Sequence, residues 1–183
     1  MTVFLLRHAS PNWHRKDIPY DILPGPELLA KGKSEAAALA EFLKPHALAR
    51  LYYSPFERSA QTAKIIAAAN QIPAVEESQL KEWRGADESE SQVRARMRSI
   101  FELAAAESRL AGPIGLVSHG GPISVLLEEL GMSREQLAPY RRMFDTTNPL
   151  PPAGAWKAEQ VDGGWDLQLV FRPAGNEAEL TER

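Results

Sequence analysis

The chain has 183 residues, 44% hydrophobic and 25% charged, with a formal net charge of −3 at pH 7. This length and composition are typical of one globular domain, so we expect a single domain over residues 1–183. The slightly acidic balance argues against nucleic acid or a membrane surface as partner, because both favour a basic protein. The absence of cysteine excludes disulfides, thiolate nucleophiles and cysteine-ligated metals.

The N-terminal residues show no export signal. The apolar run extends only from Val3 to Leu6 and no basic segment precedes it, so we expect no signal peptide. No stretch approaches the ~18 consecutive apolar residues of a membrane-spanning helix. These observations lead us to expect a cytoplasmic protein.

Strand and helix patterns alternate in the first part of the chain. Residues 2–7 form a continuous apolar, β-prone run that predicts a buried strand, and the proline-rich residues 9–26 predict a loop. Residues 27–44, rich in Ala, Leu, Glu and Lys, predict a helix that the following proline ends. A short strand at 50–54 and a helix at 56–70 come next, with a proline between them.

The same alternation continues in the second part. Residues 74–76 predict a brief edge strand, and the polar residues 80–91 predict a loop. Apolar residues at three- and four-residue spacing predict a helix over 90–108. Residues 114–118 predict another buried strand, and a helix is expected from Gly120-Gly-Pro122 to about Leu130.

A hairpin is predicted near the C-terminus. Residues 154–161 and 165–171 have strand character and are joined at Asp162-Gly163-Gly164, a hairpin turn signal. The polar residues from about 172 predict a frayed tail. The order of elements predicts an α/β three-layer sandwich, in which helices cover both faces of a mostly parallel central sheet.

Three segments follow the carboxyl ends of predicted strands, where α/β sheets bind ligands: residues 7–14, 54–58 and 118–122. Together they contain two arginines and two histidines: Arg7, His8, Arg58 and His119. Arginine presents a fork of donors to phosphate oxygens, a neutral imidazole can attack phosphorus, and helix N-termini favour anions. Each residue is weak evidence by itself, but the set predicts phosphoryl chemistry.

Several motifs resemble those of one family. Leu5-Leu-Arg-His-Ala-Ser-Pro-Asn-Trp-His14 resembles an opening signature that commonly reads Arg-His-Gly-Glu/Gln-Thr-x-Trp-Asn, and Tyr53–Ala63 resembles Ser-Ser-Pro-Leu-x-Arg-Ala-x-Gln-Thr-Ala. Three shorter matches occur in the same order: Leu29–Gly32, Leu80–Glu82 and Val117–Gly121. These are signatures of the histidine phosphatase (phosphoglycerate mutase-like) superfamily. The resemblance covers roughly residues 3–130 and implies a phosphoglycerate mutase-like fold.

The resemblance implies a role for each matching residue. His8 is the nucleophile that becomes phosphorylated, Arg7 and Arg58 bind the phosphoryl oxygens, and His119 completes this pocket. Glu82 is the proton donor to the leaving oxygen and later the base that activates water. No metal ion or cofactor is implied, because placed cationic side chains stabilise the charge of a phosphoryl group in transit.

Two assignments have open alternatives. Glu82 has several acidic neighbours that could be the proton donor instead: Glu76, Glu77, Asp87, Glu88 and Glu90. His14 stands where many family members have an asparagine that touches phosphate. It could donate the same hydrogen bond, and the alternative is an exposed loop histidine.

Departures from the common signature bear on the substrate. Ala9 replaces the usual glycine and resembles the Arg-His-Ala opening of small bacterial members that act on phosphohistidine proteins, while Ser10-Pro11 replaces Glu/Gln-Thr. No motif selects one substrate or an oligomeric state. Arg141 and Arg142 could reach a second anionic group, or form an exposed loop pair.

We expect a metal-independent phosphatase acting on a small phosphorylated metabolite or a phosphoprotein. The alternatives are a phosphohistidine-protein phosphatase, a phosphoglycerate mutase-type enzyme and a non-catalytic phosphate-binding module. Fewer than forty residues separate Leu80 from the second histidine motif, which leaves no room for the long capping insertion of the mutase branch. Access of water to a phosphohistidine should therefore favour hydrolysis.

Overall fold

The computed structural model describes residues 1–144 and 147–174, and within them strands and helices alternate along the chain. The strands are β1 (Thr2–Arg7), β2 (Arg50–Tyr53), β3 (Ala74–Glu76), β4 (Ile114–Ser118), β5 (Ala155–Val161) and β6 (Gly164–Phe171). The α-helices are α1 (Ala30–Leu43), α2 (Glu57–Asn70), α3 (Glu90–Ala111), α4 (Gly120–Glu129) and α5 (Arg134–Phe144). Two short 3₁₀ turns cover Lys44–His46 and Ser78–Leu80.

The strands form one mixed sheet in the order β3-β2-β4-β1-β5-β6. The pairs β2–β3, β2–β4 and β1–β4 are parallel, whereas β5 runs antiparallel to both β1 and β6. The register places Arg7 opposite Ser118 and Tyr53 opposite Val117. The carboxyl ends of β1, β2 and β4 therefore meet at one edge of the sheet, as predicted.

Alternating side chains of β1 divide the core into two layers. Phe4 and Leu6 pack in the cluster that includes α1 and α2, whereas Val3 and Leu5 pack in the cluster that includes α3 and α4. All four are fully buried, and burying such a side chain contributes about 1.5–3 kcal/mol. Because both faces of β1 are covered, its sequence is continuously apolar. The predicted α/β sandwich is thereby confirmed.

Helix α5 was missed by the sequence prediction, which assigned no helix or strand between about Leu130 and residue 154. Its capping is reciprocal: the Ser133 hydroxyl accepts from Gln136 N–H, and the Gln136 amide oxygen accepts from Ser133 N–H. The helix contains Pro139 and buries only Leu137. Proline inside a helix and a weak apolar pattern both argue against a helix in the sequence, so the capping and the packing of Leu137 decide this element.

Other boundaries differ by a few residues. Helix α1 begins at Ala30 and not at residue 27. Leu28 is extended instead, because its N–H donates to the Gln61 side chain and its backbone forms a β-bridge with Pro11. Helix α3 continues to Ala111, three residues beyond the predicted end.

The sequence predicts a frayed tail from about residue 172. Residues 175–183 of this tail lie outside the part of the chain that the structure describes. Among the helices of the described chain, none has the combination of length and apolar character that crossing a membrane requires.

Candidate active site

The ends of three parallel strands bring the predicted site residues together. His8 follows β1 and its N–H donates to Ser118 O at 3.0 Å, while Ser54 follows β2 and donates to Val117 O at 3.0 Å. His119 follows β4, and the ring centroids of His8 and His119 are 5.1 Å apart. The three segments selected from the sequence thus form one cluster at one sheet edge.

The hydrogen bonds of His8 fix its tautomer. Nδ1 lies 2.8 Å from the Ala9 carbonyl oxygen, and a carbonyl only accepts, so Nδ1 carries the proton. Nε2 then holds the lone pair, and Arg58 Nε donates to it at 3.3 Å. Burial lowers the pKa of His8 well below 6.5, and the charges of Arg58 and Arg7 lower it further. At neutral pH His8 is therefore an uncharged imidazole with Nε2 available.

Arg58 is held on all sides in the first turn of α2. Besides His8, its guanidinium donates to Tyr20 O at 2.9 Å and to Glu82 Oε2 at 3.1 Å. Its central carbon lies 4.0 Å from the Tyr20 ring centroid and 4.6 Å from that of Phe56. The side chain is 0% exposed. Such a fixed guanidinium presents a charge at a defined point beside His8 Nε2.

His119 is buried between a hydroxyl and a carboxylate. Its Nε2 lies 2.7 Å from Ser54 Oγ. Its Nδ1 lies 3.2 Å from Glu82 Oε2, without the geometry of a hydrogen bond. Burial lowers the pKa of His119, while Glu82 opposes that shift. The ring is therefore neutral at pH 7. Negative charge that enters the site would raise the pKa of His119 and favour its protonated form.

Glu82 is the acidic residue that the fold places against the cluster. Burial alone would raise its pKa, but His119, Arg58 and the Trp83 N–H together lower it to about 2. Glu82 is consequently a carboxylate in the free site.

The other acidic residues considered for this role have different partners. Glu77 accepts from Gln79 N–H, Glu88 pairs with Arg96, and Asp87 pairs with Arg84. Glu76 is exposed on β3, and Glu90 pairs with Arg94 while lining the wider cavity. Their positions favour Glu82 among the candidates.

Arg7 and the first turn of α4 complete the inner pocket. Arg7 is 6% exposed and donates from Nη1 to Leu150 O at 2.8 Å. Gly120 and Gly121 line the cavity. A Cβ at Gly120 would collide with the Asn148 side chain, which would have to move. The amino end of α4 adds the favourable field of a helix N-terminus for an anion.

The cavity in front of His8 has a volume of about 680 Å³. Its outer wall comes from the loop before α1, from residues after Glu82, from α4 and from α5. The wall includes Trp13, Trp83, Glu128, Arg134 and Arg141. Arg141 pairs with Glu128 at 2.9 Å, whereas Arg142 is not part of this lining. The helix that the sequence prediction missed therefore shapes the region where a leaving group would lie.

The structure does not bring His14 into the cluster. Its side chain is exposed, its N–H donates to Asn12 Oδ1 at 3.2 Å, and it does not line the cavity. The loop carries the residue outward after Pro11, whose backbone bridges Leu28. The sequence left two hypotheses for His14, a donor to phosphate and an exposed loop residue, and the geometry supports the second.

Tyr20 is a site residue that the sequence analysis missed. Its hydroxyl lies 3.4 Å from His8 Nε2, and its ring stacks on Trp13 with centroids 4.6 Å apart. Burial raises the pKa of Tyr20, so the phenol stays protonated and can donate. No local pattern marks this tyrosine, because it lies in an irregular loop and reaches the site only through its packing on Arg58.

We expect Tyr20→Phe to reduce kcat/KM for a phosphomonoester by about 10-fold, because it removes the hydroxyl that lies 3.4 Å from His8 Nε2. His14→Ala should leave kcat/KM unchanged. Steady-state rates on para-nitrophenyl phosphate measure both effects. If His14→Ala lowered kcat/KM as much as Tyr20→Phe or more, the conclusion that Tyr20 and not His14 belongs to the site would be wrong.

His8, Glu82 and His119 also form a set that could hold a metal ion, since their ligand atoms lie within 4.8 Å of one another. Arg58 donates to His8 and to Glu82, and Arg7 lines the same pocket. A cation would have to displace or approach these guanidinium groups. The charge arrangement of the described residues therefore favours an anion.

Comparisons with known proteins agree with this geometry. The family model of the histidine phosphatase superfamily (branch 1) matches residues 3–87. No curated protein matches the chain in sequence.

Solved structures share the fold at low sequence identity. The mycobacterial glucosyl-3-phosphoglycerate phosphatase is 20% identical, with a TM-score of 0.71 over 92% of this chain and 97% of that one. A candidate alpha-ribazole-5'-P phosphatase from Escherichia coli is 18% identical, with a TM-score of 0.72 over 94% and 96%. A candidate phosphohistidine phosphatase, SixA from Agrobacterium tumefaciens, is 19% identical, with a TM-score of 0.65 over 94% and 98%.

The chain is thus similar to the histidine phosphatase superfamily over residues 3–87, and its described residues share the fold of these solved phosphatase structures.

Proposed function

We propose that the chain is a phosphatase that hydrolyses a phosphomonoester through a phosphohistidine on His8, without a metal ion. One observation carries this proposal: His8 Nε2 is the unprotonated ring nitrogen and lies 3.3 Å from Arg58 Nε inside a basic pocket. This places a neutral nucleophile beside the charge that a phosphoryl group needs.

In the first step, His8 Nε2 forms a bond to phosphorus as the bond from phosphorus to the ester oxygen breaks. Arg7, Arg58 and His119 hold the phosphoryl oxygens. His119 and Arg58 both keep the pKa of Glu82 low, and a bound phosphate both engages Arg58 and brings negative charge. The pKa of Glu82 then rises, so Glu82 binds a proton as the substrate arrives and delivers it to the leaving oxygen.

In the second step, water attacks the phosphorus of the phosphohistidine. Glu82, now a carboxylate again, accepts a proton from this water, and the bond between phosphorus and Nε2 breaks. The products are inorganic phosphate and neutral His8. The same arginines stabilise the charge in both steps, which is the contribution that positioned cations make to phosphoryl transfer.

The structure supports hydrolysis in preference to mutase chemistry. The segment between Leu80 and His119 consists of a short loop, α3 and β4. They form no separate cap over His8, and the outer cavity of about 680 Å³ leaves space for water. Product analysis with a phosphoglycerate tests this point, because a mutase would return an isomer while a phosphatase releases phosphate.

We expect hydrolysis of para-nitrophenyl phosphate to be unchanged by EDTA. The pH profile provides a second readout, because only neutral His8 can attack. Since the pKa of His8 is lowered well below 6.5, kcat/KM should stay level as pH falls through 6.5 and decline only below it, after correction for ionisation of the substrate.

Loss of activity in EDTA that added Mg²⁺ or Zn²⁺ restores would contradict the metal-independent mechanism. A plain decline in kcat/KM centred on 6.5 would contradict the assignment of a buried, neutral His8.

A phosphohistidine-protein phosphatase is the second candidate. The Arg7-His8-Ala9 opening supports it, together with the fold shared with SixA from Agrobacterium tumefaciens, a candidate phosphohistidine phosphatase. Trp13 is 49% exposed at the cavity rim, where a protein surface could pack on it. Loss of label from a phosphorylated histidine-containing transfer domain tests this candidate. Persistence of that label while para-nitrophenyl phosphate is cleaved would reject it.

A further inference from the structure

A buried carboxylate behind the nucleophile has no part in the two steps above. Glu35 lies on α1 and is 5% exposed. Burying an ionised carboxylate is costly unless hydrogen bonds compensate for the lost hydration. Both oxygens are directed at one residue: Ser10 N–H donates to Oε2 at 2.8 Å and the Ser10 hydroxyl donates to Oε1 at 2.9 Å. Lys31 Nζ lies 3.9 Å from Oε1 on the outer side.

The Ala9–Ser10 peptide group connects this carboxylate to the nucleophile. The N–H that donates to Glu35 belongs to the same peptide group as the Ala9 carbonyl. That carbonyl accepts from His8 Nδ1 at 2.8 Å. A continuous path therefore runs from the Glu35 carboxylate through one peptide to the His8 ring, with two hydrogen bonds of equal length.

The electronic consequence follows from peptide resonance. The peptide group is delocalised, so a negative charge at its N–H end shifts electron density toward its carbonyl oxygen. The Ala9 carbonyl then becomes a stronger acceptor for His8 Nδ1–H. A stronger bond at Nδ1 keeps the proton there and increases electron density at Nε2, the attacking atom.

Two other hydrogen bonds and a close helix contact flank this peptide. Leu29 N–H donates to Ser10 O at 3.1 Å, and Ala9 N–H donates to Thr62 Oγ1 at 3.0 Å. A Cβ at Gly32 would collide with Ser10 O, so α1 packs directly on this backbone. These contacts hold the groups on either side of the peptide, whereas its own N–H is bound by Glu35.

We propose that Glu35 is a positioning residue, which holds His8 in the Nδ1–H tautomer and raises the nucleophilicity of Nε2 through the Ala9–Ser10 peptide. The catalytic part of this proposal rests on the proposed phosphatase function. The tautomer part concerns the free protein and can be tested without turnover.

The test compares three variants with the parent chain: Glu35→Gln, Ser10→Ala and Glu41→Gln. Glu35→Gln keeps the shape of the side chain but removes its charge. Ser10→Ala removes the hydroxyl bond and keeps the backbone N–H that the path requires. Glu41→Gln is the matched control, because Glu41 lies exposed on the same helix and pairs with Lys44. Long-range ¹H–¹⁵N spectra of the His8 ring report the tautomer, and steady-state rates on para-nitrophenyl phosphate report kcat and KM.

In Glu35→Gln we expect a mixture of His8 tautomers, and a kcat lower by about 10- to 100-fold with little change in KM. Ser10→Ala and Glu41→Gln should keep the parent tautomer and most of kcat. Thermal unfolding accompanies each rate, so that loss of folded protein is separated from loss of catalysis. If Glu35→Gln does not fold, Glu35→Asp retains the charge but shortens the reach, and it should give the same tautomer mixture.

The parent tautomer in Glu35→Gln or Glu35→Asp would overturn the proposal, and so would an equal loss of kcat in Ser10→Ala. Failure of the phosphatase proposal would look different. The parent chain would then show no turnover that depends on His8, while the spectra would still decide whether Glu35 sets the tautomer.

Discussion

Replacing His8 with alanine should abolish measurable hydrolysis of para-nitrophenyl phosphate, with a loss in kcat on the order of 10⁴-fold or more. The reason is that Nε2 of this ring is the nucleophile in the proposed mechanism. The other neutral ring of the cluster, His119, has its Nε2 against Ser54 Oγ. Arg58 and Glu82 remain, but they can only stabilise a reaction that has lost its attacking atom. The measurement is the steady-state rate, together with a quenched reaction on a ³²P-labelled ester.

The quench gives a direct readout of the intermediate. The parent protein should retain acid-labile, alkali-stable label, as expected of a phosphohistidine, and His8→Ala should retain none. His46→Ala is the matched control, because its ring packs on Phe4 and Phe42 away from the site. Turnover or label that persists in His8→Ala would contradict the assignment of the nucleophile.

Replacing Arg58 should have the second-largest effect. Its guanidinium serves His8, Tyr20 and Glu82 at once, and a lysine ammonium cannot reproduce that fork. We therefore expect Arg58→Lys to lower kcat/KM by about 10²- to 10³-fold although the charge is kept. Inorganic phosphate should raise the unfolding temperature of the parent protein and raise that of Arg58→Lys less.

Arg58→Ala should also destabilise the fold at pH 7, because it leaves the mostly buried Glu82 carboxylate without its guanidinium partner. Breaking such a buried pair costs about 3–5 kcal/mol. Urea unfolding measures this, with Arg15→Ala as control, since Arg15 forms an exposed pair with Asp17 and should not shift the midpoint.

The pH dependence of this loss has a definite sign. The pKa of Glu82 falls from 4.5 to about 2 in the folded protein, so its pairing contributes stability above pH 4.5 and loses it as pH falls toward 2. The difference in stability between the parent and Arg58→Ala should therefore shrink over that window. A difference that stays constant would show that lost packing, and not the ion pair, accounts for the destabilisation.

Much of the fold could be predicted because its signals are local. The apolar runs of β1 and β4, the periodic face of α3 and the Asp162-Gly163 turn each lie within a few consecutive residues. Helix α5 was missed since its signals conflict: Pro139 and its charged residues argue against a helix, while the Ser133–Gln136 capping pair stabilises one.

The residues of the candidate site also fall into those that the sequence could predict and those that it could not. Arg7, His8, Arg58 and His119 could be selected because each lies in a recognisable motif, at a strand end or, for Arg58, in the first turn of the helix that follows a strand. The loop at residues 9–26 carries no periodic pattern, so nothing in the sequence distinguished exposed His14 from Tyr20, which lies against His8.

By itself, then, the sequence determined the α/β architecture and the edge at which the reacting groups meet, because hydrophobic periodicity sets the strands and parallel strands share their carboxyl ends. Only the tertiary structure decided the state of those groups. The tautomer of His8, the charge of Glu82, the place of Tyr20 and the path from Glu35 to the nucleophile all depend on contacts between residues far apart in the chain. Such contacts exist only after the core has packed, and no local pattern encodes them.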